Sequence, residues 1–138
     1  MKKLIIAIMI MMILAMTFDS KKEFTLLDYF TGEYTAYADS VIDDGIDLGF
    51  CYMGTTAPSE NIIGESMKIN NLEIGHAIDE LNARVVDTEY LECGTIVIYA
   101  FTDKIEKSVN RENKKINLQI AHNDEYSVIG WPLIIGSF

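Results

Sequence analysis

The sequence predicts an α+β fold, with an antiparallel sheet of about four to six strands packed by one main helix behind an apolar N-terminal segment. Three observations predict it. Residues 4–16 form an unbroken apolar run after two lysines, residues 71–81 carry apolar side chains at helical spacing, and residues 84–135 divide into short apolar runs separated by turn residues. The expected division is a signal peptide or uncleaved anchor over 1–18, a tether over 19–31 and a single domain over 32–138.

Lys2 and Lys3 give the first segment a basic start, and the Ile- and Met-rich run that follows has no polar face. That is the pattern of an export signal. The small-residue site 15–17 suits cleavage poorly, and 36–38 lies too far beyond the run, so an uncleaved anchor through residues 4–18 is favoured. No cysteine follows the run closely, which weighs against a lipid-modified anchor. The run is shorter than the ~20 residues of a comfortable span, although Thr17 and Phe18 extend it.

Residues 19–23 are polar and read as a tether, whereas 24–30 (FTLLDYF) are apolar enough to pack. Residues 33–38 alternate as a strand does, residues 48–53 form a second apolar strand, and 62–69 a third around Gly64. Between them lie an acidic loop over 39–47 and a turn region over 54–60 that contains Pro58. These pieces are expected to add strands to the sheet formed by the second half of the chain.

The helix predicted over 71–81 has Asn70 and Asn71 as capping residues and Glu73 in its first turn, where the macrodipole favours an anion. Ile74, Ala77, Ile78 and Leu81 form its apolar stripe, and Asn82 is its stop. Residues 84–91 read as a strand with one solvated face. Residues 92–94 form a turn in which Gly94 takes positive φ. Residues 95–101 (TIVIYAF) are apolar on both faces, as in a strand covered on both sides. In 115–121, Ile116, Leu118 and Ile120 are expected inward, Asn117 and Gln119 outward. A turn at 122–124 leads into a strand over 126–131, and Pro132 places 133–135 at an edge or beyond a bend.

The elements LNARVV (81–86), KKINLQIA (114–121) and SVIGWPLIIGSF (127–138) resemble the C-terminal half of the YwmB-like family of Gram-positive, largely spore-forming bacteria. The resemblance runs from about residue 64 to the end. It implies a fold similar to the TATA-box-binding protein and an extracytoplasmic setting; the family brings no catalytic residues. Trp131 departs from the pattern, standing where a small residue is expected before the proline.

Candidate chemistry is sparse. Asp39, Asp43, Asp44 and Asp47 invite a calcium reading, but their spacing is not that of a calcium loop, so a solvated acidic loop is expected. His76 has Glu73 three residues before it and Glu80 four after it, and the expectation is a surface histidine paired with helix carboxylates. Cys51 and Cys93 are the only cysteines and lie in no metal or redox motif, so the readings are two unpaired thiols or one disulfide. Ser66 lacks the context of a nucleophile. Residues 104–115 gather Lys104, Lys107, Arg111, Lys114 and Lys115 in the one locally basic region. It reads either as a solvated loop or as a contact for an anionic envelope polymer or lipid headgroup.

A net charge of −10 argues against a general nucleic-acid binder, because phosphate neutralisation requires a cationic face. The reading that emerges is a non-enzymatic, extracytoplasmic envelope module, membrane-anchored or secreted. It carries no catalytic, metal or cofactor site and acts by contact with an envelope protein. The alternative is an envelope-acting enzyme with a site built from His76 and the acidic loop 39–47.

Overall fold

A computed structural model describes residues 1–17, 23–38, 50–54 and 62–134. The architecture is α+β and its sheet pairings are antiparallel throughout. Helix α1 (Lys2–Thr17) precedes a short 3-10 turn (Leu26–Asp28), three strands β1 (Glu33–Ala38), β2 (Phe50–Gly54) and β3 (Ile62–Ile69), and helix α2 (Ile74–Glu80). Then come β4 (Arg84–Tyr90), β5 (Ile96–Phe101), β6 (Val109–Arg111), β7 (Lys114–Ile116), β8 (Leu118–His122) and β9 (Ser127–Trp131). The main sheet has seven strands in the order β2-β1-β3-β9-β8-β5-β4, wider than expected, while β6 and β7 form a separate ribbon.

The strands before α2 add to the later ones, as expected, through the antiparallel pairing of β3 with β9. That pairing merges the two halves of the chain into one sheet. The acidic loop 39–47 and the turn region 55–60 lie outside the described residues.

One face of the sheet carries the larger core, built on Leu26, Met67, Leu81, Ile98, Leu118, Ile120 and Ile129. The opposite face carries a smaller cluster of Val97, Tyr99, Ile116 and Ala121, with Leu133 and Ile134 against it. Strand β5 contributes to both clusters, as its two-sided apolar pattern predicts. Leu26 is 0% exposed and Phe24, Leu27, Tyr29 and Phe30 pack beside it. The packed body therefore begins at Phe24, where the apolar stretch 24–30 packs as its composition led one to expect.

Helix α2 is shorter at its start than the periodicity predicts. Asn71 takes φ 58°, left-handed backbone that belongs to a turn, and Glu73 becomes the N-cap without a side-chain capping bond. Its C-terminal end follows the sequence closely. Asn82 takes φ 46° and donates its N–H to the Asp79 carbonyl at 3.0 Å, while the Ala83 N–H reaches Ile78 at 2.9 Å. Those two bonds make a Schellman cap.

The stretch 115–121 departs from simple alternation. Asn117 is 0% exposed rather than outward, and Ile116 packs in the smaller cluster while Leu118 and Ile120 pack in the larger. The chain crosses there from the ribbon to the sheet, so inward and outward exchange at Asn117. Its side-chain amide donates to the carbonyls of Thr102 (2.7 Å) and Ile105 (2.9 Å) and accepts from the Thr102 N–H (2.8 Å). Gln119 is buried as well, accepting from the Ile134 N–H at 2.8 Å. Residues 132–134 do turn away from β9 after a cis Trp131–Pro132 bond.

Helix α1 stands apart from both clusters, and every described side chain over 4–12 is exposed. Its 16 residues make a rod of about 24 Å, against about 30 Å for a bilayer's hydrocarbon core. No helix among the described residues is long and apolar enough to cross a membrane.

Candidate functional site

The most highly connected polar group described is Glu65, which period-two alternation with Met67 and Ile69 turns toward the larger core. It is 0% exposed. Oε1 accepts from the Trp131 indole N–H at 2.6 Å and from the Leu26 backbone N–H at 3.1 Å. Oε2 accepts from the Thr25 hydroxyl at 2.6 Å and from the Tyr34 hydroxyl. Register explains the convergence, since Glu65 lies directly opposite Trp131 on β9 and Ala36 on β1, whose small side chain leaves room above it. Four donors satisfy a carboxylate that would otherwise be costly to bury. Chemically the arrangement is a structural tie that fastens the segment after α1 to the sheet. Sequence reading placed residue 65 in a strand without assigning it a role, although a lone carboxylate on the inward period of an apolar strand was the available signal.

A second polar cluster lies over the opposite face, between the β6–β7 ribbon and the β4 edge. Arg111 stacks on Tyr99, with its guanidinium carbon 3.9 Å from the ring centre, and pairs with Asp87 at 2.9 Å and Glu89 at 3.3 Å. Tyr99 donates to Glu89 at 3.1 Å. Burial raises the Tyr99 hydroxyl above its ordinary value and the bond to Glu89 adds to this, while Arg111 opposes both. Burial alone would lower the Arg111 guanidinium, but Tyr99, Glu112, Asp87 and Glu89 outweigh it and hold the guanidinium above its ordinary value. This cluster clamps the ribbon to the sheet edge.

Of the basic stretch 104–115, Arg111 is drawn into the fold, whereas Lys104, Lys107, Lys114 and Lys115 are exposed. Besides Arg111, Lys104 lies 5.6 Å from the Tyr29 ring centre, Lys107 donates to the Ile62 carbonyl at 2.8 Å, and Lys115 sits 5.4 Å from Phe101.

His76 is exposed and lies 3.6 Å from Glu80, the surface pairing expected of it. Glu73 sits at the helix N-cap, and the acidic loop 39–47 proposed as the other half of an enzyme site is outside the described residues. Among the described residues no three His, Cys, Asp or Glu side chains gather closely enough to hold a metal ion. Ser66 is buried in β3, its hydroxyl without a hydrogen-bond partner among the described residues.

Cys93 is a free, exposed thiol in the β4–β5 turn, and the Thr95 hydroxyl and backbone lower it from its ordinary value. Strand β2, which carries Cys51, lies five strand spacings from β5, roughly 24 Å. A disulfide bridges Cα atoms less than about 7 Å apart, so the two cysteines do not pair within the chain.

Comparison of the chain with protein-family models, with curated proteins and with solved structures finds no match in any of the three.

Proposed function

We propose that the protein is a non-catalytic, exported α+β module held at the membrane by α1 and acting outside the cytoplasm through contact with another envelope protein. One observation carries this reading. Helix α1 exposes apolar side chains on all its faces over residues 4–12, directly after Lys2 and Lys3, and neither core cluster contains any of them. Such a helix in water leaves a large apolar surface uncovered, and a bilayer or the export machinery that recognises signal segments would cover it. Residues beyond Thr17 would have to enter the apolar layer for a full span. The non-catalytic part is supported by the engagement of two highly connected charged groups among the described residues, Glu65 and Arg111, in structural bonds. The resemblance of residues 64–138 to the YwmB-like family points to the same compartment and suggests a spore-forming, Gram-positive setting.

Membrane retention tests the reading. The full chain should stay in the membrane fraction through an alkaline wash, and a chain starting at Glu23 should not. A full-length chain recovered in the soluble cytoplasmic fraction would refute it.

A further inference from the structure

We infer that the packed body rests on the bilayer through one end of its sheet, with the aromatic group Phe24, Tyr29 and Phe30 and the ammonium of Lys104 set in the phospholipid headgroup layer. This rests on the reading of α1 as the membrane-held segment. Three observations lead to it.

The first is reach. Helix α1 ends at Thr17 and the packed chain begins at Phe24, so seven Cα steps, at most about 25 Å, separate them. Any residue drawn into the apolar layer to lengthen α1 shortens that leash. The leash therefore holds Phe24, the point where it meets the body, within about 25 Å of the apolar layer.

The second is what surrounds Phe24. Its ring stacks on Tyr29 at 5.5 Å and meets Trp131 edge-on at 6.1 Å, and Phe30 adjoins Tyr29 at 6.4 Å. Phe24, Tyr29 and Phe30 are all half-buried, so each keeps part of its ring at the surface. Lys104, exposed, holds its ammonium over Tyr29. Half-exposed aromatic rings with a lysine reaching past them are the side chains that favour the membrane–water boundary, where ring and ammonium each find a fitting layer. Asp103 and Glu106 flank the lysine, so the contact depends on rings and phosphate rather than on a net anionic membrane.

The third is rigidity. Glu65 fastens Thr25 and Leu26 to β3 and β9, so the aromatic group is fixed to the sheet and cannot swing away alone. Orienting it orients the whole body. Trp131, Leu118 and Ala100 lie at this end of the sheet, while Ile96, His122 and Ser127 lie at the other, next to the β4–β5 turn with Cys93. Those residues are four steps apart in each strand, about 14 Å, and Cys93 lies in the turn beyond.

The chain carries its own reporters, because Trp131 is the one tryptophan and Cys93 is exposed at the far end. The full chain is reconstituted into phosphatidylcholine vesicles, floated, and read by energy transfer to acceptors on the lipid headgroups. Donors are Trp131 and, in a Cys51→Ser background, a fluorophore on Cys93, each with an acceptor matched in transfer range. Transfer from Trp131 should be several-fold more efficient than from Cys93, and Lys104→Glu, an exposed change that leaves the fold intact, should narrow the difference. A floated protein with equal transfer from both ends, or greater transfer from Cys93, overturns this inference and leaves the membrane reading standing. A protein that does not float with the vesicles overturns both.

Discussion

Glu65 would be costly at 0% exposure without its four donors, and those donors come from three parts of the chain: the segment after α1, β1 and β9. Replacing it with Leu would strand the Trp131 and Leu26 N–H groups and two hydroxyls in the core. The expected cost is at least about 3 kcal/mol in urea unfolding. Glu65→Gln keeps one acceptor and should cost less. A Leu variant with an unchanged midpoint would show that the tie contributes nothing. Tyr99 gives a second test at this scale, in alkali. Its folded-state value is raised above the ordinary 10.0, so the folded protein holds the phenol proton more tightly than the unfolded chain does. Its contribution to stability is complete below pH 10.0 and is lost as the pH rises through the higher folded value. Absorbance titration of tyrosinate should show a late step that Tyr99→Phe removes, and the variant's stability should fall less steeply in that range.

At the scale of elements, the strands were legible wherever one face is apolar and the other is not, or where both are apolar. Residues 33–38, 62–69, 84–90 and 96–101 emerge as strands for that reason. Asn117 and Gln119 were misplaced because alternation assumes an unbroken strand, and nothing in a polar residue's identity announces that a crossing will bury it. The start of α2 was misread for a related reason, since an asparagine caps a helix or occupies a left-handed turn with equal ease, and at Asn71 the turn prevailed. The Glu65 tie was the least legible feature, because it depends on register between segments far apart in sequence. Two changes probe the elements. Ile98→Ala in β5 should cost about 2–5 kcal/mol through lost burial and the cavity left behind. Gly75→Ala should stabilise by roughly 0.5–1 kcal/mol, since Gly75 lies inside α2 and a Cβ there meets nothing within 4 Å. Thermal midpoints that move against these signs would mean that the strand or the helix is misplaced.

At the scale of the whole molecule, an acidic body is joined to an uncovered apolar helix. With a net charge of −10 and a basic stretch interrupted by Asp103, Glu106 and Glu112, the protein should bind duplex DNA no more tightly than micromolar at physiological salt; a gel-shift titration checks this. Tight, salt-sensitive binding would count against this expectation and favour a DNA-binding reading that a fold label alone does not carry. The central claim is topological. Lys2 and Lys3 favour the cytoplasmic side for the start of α1 and Lys21 and Lys22 beyond it weaken that bias, so the proposed placement of the body outside rests chiefly on the export-signal pattern. It is tested most directly by protease added to intact, wall-stripped cells, with a cytoplasmic protein as the integrity control. The account predicts that residues 24–138 are digested while the control survives. A body that stays protected in intact cells and is cut only after lysis would contradict it.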